Sequence, residues 1–121
     1  MLILLIKKSL FILLCLTLPA VADVKIEKGE KKLPLKGESF KLNGRDAFVI
    51  LPEKVEANTP WVWYAPTLRN LPSKAEVWMF EKFLAKGIAI AGIDVGESYG
   101  SPDGRKLFSD LYQHLTTTRK F

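Results

Sequence analysis

Apolar and polar positions change their spacing several times along the 121-residue chain, and each change predicts an element. "ESFKLNGRDAFVILPE" alternates on both sides of Asn43-Gly44, the dipeptide that a tight hairpin turn favours. It predicts strands over about Glu38–Leu42 and Arg45–Leu51, ended by Pro52, which has no amide hydrogen for a ladder. Trp61, Val62, Trp63, Tyr64 and Ala65 form a short run of β-formers between Pro60 and Pro66. Being apolar on both faces, it predicts an interior strand with its tryptophans in the core rather than a sugar-stacking platform. "LPSKAEVWMFEKFLAKG" then shifts to helical spacing, with Val77, Phe80 and Leu84 recurring on one face. Ser73 and Glu76 make a capping box at its start, and Gly87 offers a left-handed exit.

"IAIAGIDV" follows, a continuous apolar run that predicts a central parallel strand covered on both faces. The last periodic segment begins at Ser101-Pro102-Asp103, a cap, a first-turn proline and an acid at the positive end of the dipole. Leu107, Leu111 and Leu115 share its apolar face, flanked by Phe108 and Tyr112. Thr116, Thr117 and Thr118 are poor helix formers and are expected to end it.

The N-terminus has a different character. Lys7 and Lys8 precede an apolar run from Leu10 to Leu18, and Ala20-Val21-Ala22 supplies a small-x-small cleavage site. Residues 1–22 thus read as a secretory signal peptide with cleavage after Ala22, and not as a stable membrane anchor. The expected location is secreted or periplasmic. Cys15, the single cysteine, leaves with the signal, so the mature chain has no disulfide or thiolate metal site. Loss of Lys7 and Lys8 lowers the formal charge from +5 to +3. Much of that excess lies in the charged N-terminal segment, residues 23–36, where lysines and glutamates alternate. This pattern predicts a solvated stretch that protects a sheet edge. No basic stripe with interleaved aromatics points to nucleic acid.

The remaining residues, 37–121, form a partial domain: an antiparallel hairpin followed by βαβα. The fold class is α/β, an incomplete doubly wound sheet, since the last helix has an apolar face ready for a strand that does not follow. The order of elements, with "PWVWYAPTLRN" and "IAIAGIDVGESYG" at two strand ends, resembles the N-terminal half of secreted bacterial α/β-hydrolase-fold proteins of the prolyl-oligopeptidase-like or esterase-like kind. The resemblance runs from about Gly37 to the end. It implies a serine hydrolase of ester or peptide bonds whose nucleophile, acid and base lie beyond Phe121. It also implies that the loop after the strand at Trp61–Ala65 lends a backbone N–H to an oxyanion hole, at Thr67 with Leu68 as second candidate. The loop holding Asp94, Gly96 and Ser98 would lie at the active-site edge. The His-Gly pair common in such oxyanion loops is replaced here by Ala65-Pro66.

Gly96-Glu97-Ser98-Tyr99-Gly100 matches the nucleophile-elbow pattern G-x-S-x-G. Ser98 is therefore a candidate nucleophile by motif. Its context argues against that role, because an elbow places serine where a strand turns directly into a helix, and Ser101-Pro102 puts the helix start later. The only histidine, His114, lies in the middle of that helix, where an exposed or half-buried position is expected, with Asp110 four residues earlier as a partner. Asp94 is expected to cap its loop by accepting backbone N–H groups. No metal cluster, phosphate loop or dinucleotide fingerprint is present, so no cofactor is expected. Two other readings stay open: a small secreted binding protein that pairs its sheet edge with a partner or with itself, and a minimal hydrolase using Ser98.

Overall fold

The computed structural model describes residues 25–121, and the signal-peptide expectation lies outside the described residues. Among these residues, five strands form one mixed sheet: β1 (Ile26–Lys28), β2 (Glu38–Leu42), β3 (Arg45–Ile50), β4 (Trp61–Trp63) and β5 (Ala89–Ile93). The helices are α1 (Val77–Ala85) and α2 (Pro102–Gln113). The strand order is β1-β2-β3-β5-β4, with β4 parallel to β5 and the other neighbours antiparallel.

The hairpin between β2 and β3 forms at the expected place. Asn43 and Gly44 both take positive φ, 50° and 78°, the signature of the two-residue turn whose twist suits adjoining strands. Side-chain alternation then divides the sheet into two faces. Ala47 and Val49 of β3 lie with Ala91 and Ile93 of β5 on the face covered by Leu111 of α2 and by Leu115. Phe48, Ile50 and Ile90 occupy the opposite face under Phe80 of α1. Complete burial of a leucine such as Leu111 contributes about 2 kcal/mol over leaving it exposed. Gly92 serves this second face, because a Cβ there would overlap the Tyr64 carbonyl and the Phe48 ring.

The capping box is present. Ser73 N–H donates to Glu76 Oε2 at 2.7 Å, Ala75 N–H donates to Ser73 Oγ at 3.2 Å, and Ser73 also caps the Glu76 amide side of the turn. A 3₁₀ turn, Lys74–Glu76, intervenes before α1 begins. Ser101 Oγ accepts from Gly104 N–H at 3.2 Å, so α2 starts where its cap predicts.

Two expectations need correction, and a third is met in an unexpected form. The run Trp61–Ala65 is not interior. Only Trp61–Trp63 forms a strand, it lies at the sheet edge among the described residues, and Trp63 is 43% exposed. Its apolar character on both faces reflects one helix on each side, not a neighbour on each edge. Ala89 N–H donates to Pro60 O and Tyr64 N–H to Ala91 O, so the peptide groups of Trp61 and Trp63 point to the open side.

The last helix does end at the threonines, as expected, but through a widened final turn. His114–Thr118 continue it as a π-helical turn, in which the hydroxyls of Thr116 and Thr117 donate back to Tyr112 O and Gln113 O. These bonds occupy carbonyls that a tighter helix would use, which is how hydroxyl side chains loosen a helical ladder.

Nor is the charged segment simply solvated. It contributes β1 to the sheet edge, packs Leu33 and Leu35 against the α1-side core, and sends Lys31 inward.

Candidate functional site at the carboxyl edge of the parallel strands

β4 and β5 run parallel, so their following loops leave the same edge of the sheet. The first loop carries Thr67, Leu68, Arg69 and Asn70, all exposed, and is closed by Leu71 N–H donating to Leu68 O at 3.1 Å. The two oxyanion candidates, Thr67 and Leu68, therefore sit on the surface beside the end of β5. The second loop runs from Asp94 to Ser101. Its path needs three left-handed residues, Gly96 at φ 63°, Tyr99 at 46° and Gly100 at 72°, and Ser101 N–H closes it onto Ser98 O at 2.8 Å.

Asp94 does not cap this loop. Its carboxylate accepts from Lys31 Nζ at 2.6 Å, while its own N–H donates to Asp46 O. The lysine arrives from the segment before β2, and Nζ also donates to Arg69 O at 3.1 Å. One buried ammonium thus ties together the N-terminal segment, the end of β5 and the loop after β4. A lysine that far from solvent is stable only because both acceptors are in place.

Ser98 is half-buried, and its side chain lies against Gly104 in the first turn of α2. A Cβ on Gly104 would overlap it, so the glycine makes room for the serine. Ser98 stands between β5 and α2 with a loop on either side, not at a direct strand-to-helix turn. His114 is at the other end of α2, ten residues past Gly104, or about 15 Å along the axis. The motif and the histidine are not brought together.

His114 also departs from the expected exposure. It is 6% exposed, its ring is 5.2 Å from that of Phe40, and Nε2 has no hydrogen-bond partner. Burial, and then the nearby Arg119, hold its pKa below the ordinary imidazole value. Ordinary helical spacing already places it on the face of Leu107, Leu111 and Leu115, and its N–H still donates to Asp110 O, so its burial comes from the cover that Phe40 gives that face. Asp110 does not pair with it. That carboxylate accepts from Lys106 Nζ and from Asn43 Nδ2, which joins α2 to the hairpin turn. Above the histidine, Arg119 pairs with Glu38 and draws its carboxyl below the usual range.

Beside the Lys31–Asp94 pair a cavity of about 430 Å3 is lined by Glu30, Lys31, Lys32, Asp46, Arg69 and Asn70. Apart from Asp94, the partner of Lys31, sequence reasoning passed over this group. The available signal was a lysine pair, Lys31-Lys32, in a segment whose alternation resembled ordinary solvated charge. Among the described residues no group of three acidic, histidine or cysteine side chains is placed to hold a metal ion. No helix there is long and apolar enough to cross a membrane. Compared with known proteins, the chain matches no family model, no curated protein and no solved structure at a significant level.

Proposed function

We propose that this chain is the N-terminal portion of an exported serine hydrolase of ester or peptide bonds, with its nucleophile, acid and base beyond Phe121. The observation that carries the reading is the open edge of β4. Among the described residues β5 has neighbours on both sides and β4 on one, so a parallel strand after α2 would pair against the outward peptide groups of Trp61 and Trp63. The loops after β4 and β5 then lie next to the place where that strand would end. On this reading Thr67, with Leu68 as the second candidate, supplies the oxyanion amide, and the Gly96–Ser101 loop forms one wall of the active site.

The same edge favours a second reading, a small secreted binding protein that completes its sheet with a partner. The coding sequence past Phe121 separates the two. A β-forming run leading into small-x-Ser-x-Gly and another helix supports the hydrolase. A stop followed by unrelated sequence sinks it and leaves the binding protein. A fluorophosphonate probe tests the minimal hydrolase: no adduct is expected on this chain, and an adduct that disappears in Ser98→Ala would restore Ser98 as nucleophile.

A further inference from the structure

The hollow beside Lys31 is open to solvent and lined only by polar and charged side chains, and it lies outside the carboxyl ends of the parallel strands, where open α/β sheets hold their ligands. Its charges are only partly matched. Asp46 is paired with Lys41 at 3.0 Å, and Lys31 with Asp94 at 2.6 Å. Lys32 and Arg69 remain, opposed by Glu30, and none of these three has an ion pair among the described residues. The balance is one positive charge, which suits a monoanion better than a dianion.

Lys31 also lines this hollow. Two of its three ammonium hydrogens go to Asp94 Oδ1 and Arg69 O, which leaves a third. Because Lys31 holds the Arg69 carbonyl, it also fixes the backbone from which the guanidinium projects. The planar fork of that guanidinium matches a carboxylate with two parallel hydrogen bonds.

We propose that this cavity binds the carboxylate of a small acid or of a peptide C-terminus, with Arg69 and Lys32 as its cationic contacts. Under the hydrolase reading, and resting on it, the carboxylate belongs to the substrate, at the end remote from the scissile bond. Binding itself does not depend on that reading.

Site-resolved phenylglyoxal modification of the full chain, followed by mass spectrometry, tests binding alone. Arg45, Arg105 and Arg119 serve as internal references, and N-acetyl-alanyl-alanine is the probe. At roughly 10 mM, well above a millimolar Kd, the probe is expected to slow modification of Arg69 by about fivefold and leave the references unchanged. Its C-terminal amide should give no protection, and Lys32→Gln should raise the concentration needed several-fold. Unchanged modification of Arg69, equal protection of every arginine, or protection by the amide as strong as by the acid would each overturn the proposal. Hydrolysis of the probe is not read, so failure of the hydrolase reading leaves this result intact.

Discussion

Lys31 and Asp94, separated by 63 residues in sequence, form a 2.6 Å ion pair in which the lysine side chain is 3% exposed and the aspartate 16%. Removing one partner leaves a charge with little access to water. Lys31→Met is therefore expected to destabilise the chain by roughly 3 kcal/mol in urea unfolding. The double variant Lys31→Met, Asp94→Leu should recover much of that loss, because no buried charge is left over. A single variant as stable as the parent would show that the pair is not buried in solution.

His114 sets a pH dependence of definite sign. The ordinary imidazole value is about 6.5, and burial holds the folded value below it. Between those two values the unfolded chain binds a proton that the folded chain excludes. Stability thus declines as pH falls below about 6.5, and the decline is complete once the folded value is passed. His114→Phe should flatten urea midpoints between about pH 7 and pH 5. A separate acid limb should remain from Glu38 and Glu76, held low by hydrogen bonds from Arg119 and the Ser73 backbone. An unchanged slope in His114→Phe would mean that the imidazole is solvated.

Gly104 makes the packing of Ser98 testable. In an open helix position, alanine in place of glycine gains up to about 1 kcal/mol. Here the new methyl group meets the Ser98 side chain, and Gly104→Ala should instead cost roughly 1–3 kcal/mol. Adding Ser98→Gly removes the clash and should restore much of the stability. Additive effects of the two changes would show that the loop does not rest on α2.

The edge of β4 predicts association. Trp63 is 5.4 Å from Phe108 between ring centres, and Tyr112 of α2 is 55% exposed beside Trp61. An unpaired strand with aromatic cover is a template for another strand. Sedimentation of the chain should show concentration-dependent self-association, and Trp63→Lys should shift it toward monomer. If the parent sediments as a monomer at every concentration, the edge is not an adhesive surface.

Local chemistry determined much of this protein by itself. Asn43-Gly44 makes its turn because two successive residues must adopt positive φ, and those two residues tolerate it. Ser73 with Glu76, and Ser101 with Pro102, start helices through bonds that span three residues or fewer. The all-apolar Ala89–Ile93 run could satisfy its side chains only under cover on both faces, and it became the inner strand. The tertiary structure alone decided the rest, because those features depend on neighbours far along the chain. Whether the tryptophan strand is inner or edge depends on whether β4 or β5 takes the side of β3 that β2 leaves free, a choice that Trp61–Trp63 does not encode. The burial of Lys31 needed Asp94 and the Arg69 carbonyl, both brought to it by folding. The burial of His114 needed Phe40 of β2 laid against its ring and Arg119 paired with Glu38 above it, although helical spacing alone puts it on the face of Leu111 and Leu115. Periodicity reports which residues avoid water, and only packing chooses the partners that make a buried charge or an unpaired imidazole tolerable.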